Sequence, residues 1–158
     1  MSRTASDQNV PQPLGAHFDQ FVQAPIERVY AAYVDPALMP KWMGIKAVTD
    51  ASGPLDRPGT TFVEVVYPFH RPRAEVLAAE PPVLHDMGGR SIRGIEWRWI
   101  ARFAEKDAGT QIAFDEEVRF PAGLISGLLR RSQEGGRMER GARALLAKFA
   151  KLVEAGET

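Results

Sequence analysis

Between residues 60 and 120 the chain is a series of short β-branched and aromatic runs separated by turn residues, and the connections are brief. Parallel neighbours need crossovers of about a dozen residues or more, so these runs must pair with their sequence neighbours as an antiparallel meander. The runs are 60–69, 73–80, 83–87, 95–104 and 110–120, punctuated by Pro81-Pro82, Gly88-Gly89 and Lys106-Asp107-Ala108-Gly109. Two further strands are expected at 16–24 and 45–50, with two short helices between them. The first covers 26–34, opened after Pro25 and stopped by Asp35-Pro36; the second is opened by Pro36 and runs through Leu38 and Met39 to Trp42. Beyond residue 120 the period changes. Leu124, Leu128, Met138, Ala142, Leu145, Phe149 and Leu152 recur at helical spacing and form one apolar stripe. Gly135 and Gly136, each costing about 1 kcal/mol against alanine in a helix, divide it into a short piece over 124–131 and a long helix over 137–154.

A curved sheet with an apolar concave face needs a cover, and only the last helix is long and amphipathic enough to supply it. The expectation is an α+β fold in which six to seven antiparallel strands wrap that helix while the two short helices close one end. Residues 1–15, polar and with two prolines, read as a flexible tail, and 16–156 as one domain. A chain of 158 residues that is 44% hydrophobic can bury roughly 70% of its unfolded surface, so its core needs no staple. It has no cysteine, which excludes disulfides, thiolate nucleophiles and cysteine-ligated metals. Twenty Lys and Arg against twenty Asp and Glu remove any global pull towards nucleic acid. The basic residues Arg137, Arg140, Arg143, Lys148 and Lys151 read as a solvated helix face. No segment approaches the 18 apolar residues of a membrane span, and the N-terminus lacks the apolar core of a signal peptide, so a cytoplasmic location is expected. A monomer and a homodimer are both compatible with a neutral surface. Neither a phosphate-binding glycine loop nor a Gly-x-Ser-x-Gly nucleophile elbow occurs.

Strand alternation sorts the residues able to do chemistry. On 95–103 the apolar face holds Trp97, Trp99, Ala101 and Phe103, and two tryptophans on one strand make a flat wall suited either to core packing or to stacking on a ring system. On 110–120 the inward set is Ile112, Phe114, Val118 and Phe120, and Glu116 shares their register. A carboxylate among aromatic residues is desolvated, which makes Glu116 the leading candidate for a general acid or base. Three alternatives are a bulge at Asp115-Glu116-Glu117 that would turn it outward, a wet strand end, and pairing with Arg137 or Arg140. His85, on a face with Val83 and Met87, is a second proton-transfer candidate, and the adjacent His85-Asp86 point to opposite faces and form no dyad. Tyr67 is a third, in phase with Val63 and Val65. The run 60–69 is apolar on both faces, however, and the opposite parity would send Glu64 and His70 inward instead. Trp42 reads as a cavity-mouth residue or a plug. The candidate ligand-lining set is Trp42, Val65, Trp97, Trp99, Phe114, Met138 and Leu145. With only three histidines and no cysteine, no metal site is expected.

Phe21-Val22-Gln23-Ala24-Pro25-Ile26-Glu27-Arg28-Val29-Tyr30, then Asp35-Pro36 and Pro40-Lys41-Trp42-Met43, resembles the opening of START-like (SRPBCC) proteins. Pro58-Gly59-Thr60, Glu75-Val76 before Pro81-Pro82, Gly109-Thr110 and the stretch 124–129 are similar to the polyketide cyclase/dehydrase-like branch. The resemblance covers roughly residues 16–155 and implies the helix-grip (START/Bet v-like) fold. It also implies a cavity for a small hydrophobic or aromatic molecule, with no obligatory metal or nucleotide cofactor. The implied activities are a cofactor-independent cyclase or aromatase that combines shape with one general acid or base, or a non-catalytic carrier. A protein-interaction module like the START-like co-chaperone activators is a further alternative.

Overall fold

A computed structural model describes residues 12–91 and 93–156; most of the expected tail at 1–15 therefore lies outside the described residues. Seven strands form one curved antiparallel sheet: β1 (Leu14–Val22), β2 (Ala47–Thr49), β3 (Thr61–Val65), β4 (Arg73–Glu80), β5 (Leu84–Arg90), β6 (Glu96–Lys106) and β7 (Gly109–Arg119). Their order is β1-β7-β6-β5-β4-β3-β2, so β2 to β7 run as a meander and only β1 returns, beside β7. Between β1 and β2 lie α1 (Ile26–Tyr33) and α2 (Met39–Trp42), and the chain ends in α3 (Leu124–Gln133) and α4 (Arg137–Glu154). This is the expected helix-grip arrangement, with α4 held along the concave face by Met138, Ala142, Leu146, Phe149, Ala150 and Val153. β1 starts at Leu14, paired with Val118, so the last two residues of the expected tail belong to the sheet.

Three expectations about the elements are corrected. The strand expected over 60–69 stops at Val65, because Val66 to His70 close a tight hairpin in which the His70 amide donates to the Tyr67 carbonyl. Gly88-Gly89, read as a terminator, lies inside β5. A methyl group at Gly89 would sit 2.5 Å from the Trp97 ring, so the missing side chain is what lets that indole lie across the neighbouring strand. The single stripe running from Leu124 into α4 is broken. Gly135 and Gly136 both adopt left-handed backbone (φ 67° and 76°), and the turn they make leaves α3 with no buried residue.

Candidate functional site

The continuous register aligns inward side chains in rows across the sheet. One row runs Val76, Met87, Trp99, Glu116 and Ala16; the next towards α3 runs Phe62, Ala74, Gly89, Trp97, Val118 and Leu14; the next away from it holds His85, Ala101, Phe114 and Phe18. The bulge considered near Glu116 is absent, since β7 pairs without a break on both sides; the irregularity falls in β4, between Val76 and Ala78.

The two ends of this face differ. Towards α1 and α2, Tyr33 lies with its ring centroid 5.3 Å from Trp42, 5.3 Å from Phe103, 5.6 Å from His85 and 5.7 Å from Phe149. Trp42 is 1% exposed, so of the two readings considered it is the plug. His85 is wholly buried, and because the Leu55 carbonyl can only accept, the Nε2–H of His85 donates to it at 2.8 Å. Burial holds the imidazole below its ordinary value, against the opposing pull of the Leu55 hydrogen bond and of Asp86 and Asp56. As expected, Asp86 faces the other way, where Arg98 grips it through Nε at 2.9 Å and Nη2 at 2.5 Å.

Towards α3 the inward face is only partly covered. Trp97 and Trp99 stand 5.7 Å apart, tilted by 57°, and both keep some exposure although they point inward. Phe114 lies 5.5 Å from Trp99; on α4, Met138 is buried and Leu145 partly buried. Glu116 is inward-facing and takes a hydrogen bond from Trp99 Nε1 at 2.9 Å rather than from Arg137 or Arg140, whose guanidinium groups donate to the carbonyls of Arg131 and Gly135. Desolvation raises the Glu116 carboxyl above the usual carboxylate value, partly offset by the Trp99 donor. Its charge also adds to the burial that raises the Tyr33 hydroxyl.

The parity of β3 resolves against Tyr67. Phe62 and Glu64 are buried on the concave side, so Val65 lies on the opposite face and Tyr67, 64% exposed, sits in the hairpin; neither joins the site. His70 does not enter either, because it pairs with Tyr67 within that hairpin. Glu64 does, and burial pushes its carboxyl up to about 7. The signal for it was the second reading of a strand apolar on both faces. Among the described residues no group of three His, Cys, Asp or Glu is placed to hold a metal, and no helix is long and apolar enough to cross a membrane. A depression of about 510 Å³ lies at the same end of the sheet, where the convex-face residues Arg73, Glu75, Arg98, Glu117 and Arg119 alternate in sign around Leu77 and Gly88; Trp97 is also among its lining residues.

Several solved structures share this fold at low identity. TTHA0849 from Thermus thermophilus superposes with a TM-score of 0.70 at 19% identity, covering 92% of this chain and 100% of that one. Ara h 8.0201 gives 0.66 at 13% identity over 91% of this chain and 99% of its own. DynU16, a protein of the dynemicin biosynthetic locus, gives 0.65 at 18% identity, with 90% of this chain matching 48% of that one. A search of curated proteins finds no significant match. A family model described as polyketide cyclase/dehydrase and lipid transport matches residues 16–154, and the chain belongs to that family.

Proposed function

We propose that the protein binds a small hydrophobic or aromatic molecule between the concave face of the sheet and α4, at the end where Trp97 and Trp99 stand. The observation that carries this reading is that two adjacent indoles point inward and still keep exposed surface. Indoles gain most from burial, and a pair tilted beside Phe114 offers a ring-shaped guest both stacking and edge contacts. The family description, which spans cyclase/dehydrase chemistry and lipid transport, supports a guest of this class. Native mass spectrometry of the purified chain, followed by titration with polycyclic phenols and fatty acids, tests it. The expected result is a stoichiometric passenger or saturable quenching of tryptophan fluorescence, weakened about tenfold or more in Trp99→Ala. A chain that carries no passenger and answers none of these molecules refutes it.

Glu116 favours a catalytic version of the same site. A desolvated carboxyl anchored by one indole donor can take or give a proton beside a bound carbonyl compound, while the walls hold the reacting atoms close. In this reading Glu116→Gln keeps binding and loses turnover of an aromatic polyketide-like substrate by about 100-fold or more. Unchanged turnover in Glu116→Gln removes the proton-transfer role and leaves a carrier.

A further inference from the structure

Because antiparallel strands alternate in direction, the β3–β4, β5–β6 and β7–α3 connections all emerge at one end of the sheet, where α4 also begins. That end carries the most exposed apolar side chains of the described residues: Phe69 is 92% exposed on the β3–β4 tip, and Leu124, Ile125 and Leu128 are 90%, 67% and 68% exposed on α3. On α3 these three share one face, and Arg131 follows Leu128 by three residues, continuing the same stripe with a cation. Arg137 and Arg140 open α4 and Arg93 occupies the β5–β6 turn, all exposed. Among the described residues no carboxylate pairs with these four arginines; the nearby acids Glu134 and Glu139 are taken by Arg130 and Arg143. A chain of net charge zero thus concentrates a cationic surplus beside its exposed leucines.

We propose that this end docks on an anionic lipid bilayer, with the α3 stripe and Phe69 entering the headgroup layer and the arginines meeting the phosphates. A bilayer asks only that separate apolar protrusions reach a common plane with cations around them, which is the pattern of an interfacial helix. A second copy is a poorer occupant, because a two-fold interface sets the same patch against itself and would oppose arginine to arginine. Docking there does not depend on what the tryptophan wall binds.

Co-flotation of the full chain with vesicles of phosphatidylcholine alone, and of phosphatidylcholine mixed with phosphatidylglycerol, tests the proposal. Binding is expected on the mixed vesicles only and is expected to fall as salt is raised. Arg131→Gln with Arg137→Gln should weaken it roughly fivefold per charge, and Leu124→Ser with Leu128→Ser should abolish it, with circular dichroism unchanged because all four side chains are exposed. Phe69→Ser should have a smaller effect. Failure of the wild-type chain to float with anionic vesicles overturns the proposal, as does binding indifferent to both double variants. Light scattering in which the leucine pair converts a dimer to a monomer without altering flotation also overturns it, in favour of self-association.

Discussion

At the α1–α2 end of the concave face, Tyr33, Trp42, Phe103 and Phe149 meet ring to ring and are at most 3% exposed. At the α3 end, Trp97 and Trp99 stand on the same face of the same sheet and are only partly buried, and no residue of α3 is buried. Composition does not separate the two ends, since both are aromatic. The difference lies in what covers them. Trp42 and Tyr33 arrive on helices that pack against α4, whereas α3, set off from α4 by two left-handed glycines, buries no residue of its own, and the indoles remain partly exposed. An aromatic group in the first setting is sealed core; the same group in the second keeps part of its surface exposed.

The largest expected effects break this contrast directly. Trp42→Ala should cost about 3–5 kcal/mol, because a fully packed indole leaves a cavity that its neighbours cannot fill. Trp97→Ala should cost about 1–2 kcal/mol, since part of that ring is already in water and less burial is lost. Urea unfolding of both variants measures the difference, and equal losses would mean that the α3 end is packed as tightly as the other.

Next in size is the pH dependence, where two buried groups work in opposite directions. Burial raises Glu64 from 4.5 to about 7, so the unfolded chain releases this proton first as pH rises. The contribution of Glu64 to stability is therefore complete below about pH 4.5 and lost by about pH 7, on the order of 3 kcal/mol. Glu64→Gln should leave stability unchanged at acid pH and raise it above neutrality. His85, held below 6.5, has the reverse sign: the unfolded chain takes up its proton first as pH falls, so stability is lost on the acid side of that value. Unfolding midpoints across the acid and neutral range, with imidazole resonances following His85, separate the two. A His85 that protonates at or above 6.5 would contradict its sealed position.

The smallest effect sharpens the contrast between faces. Arg119 and Glu117 pair at 2.7 Å on the convex side with 60% and 45% of their side chains exposed, and Glu117→Gln should change stability by no more than about 0.5 kcal/mol. A larger loss in denaturant titration would show that the convex ion pairs act as a network.

How much was legible depended on how cleanly each segment alternated. In β6 the charged residues Glu96, Arg98 and Arg102 fall between Trp97, Trp99 and Phe103, and in β7 Asp115 and Glu117 flank Glu116, so period two alone placed the inward residues. In the run 60–69 Phe62, Val63, Val65 and Val66 are apolar on both faces, so no hydrophobic pattern chose between Tyr67 and Glu64. The tight hairpin that begins at Val66 and the pairing with β2 and β4 made that choice, and neither is visible in the hydrophobic pattern.

From its spacing of strands and its one long amphipathic helix the chain determined by itself the meander, the gripped helix and the inward placement of Trp97, Trp99, Phe114 and Glu116. These follow from local periodicity, which each segment carries whatever its neighbours do. Only the tertiary structure decided that Trp42 is sealed, that Gly89 is a seat for Trp97 and that Leu124 and Leu128 leave the stripe shared with α4. Those outcomes depend on which surface arrives opposite. Periodicity marks a face as apolar, and packing alone determines whether anything covers it.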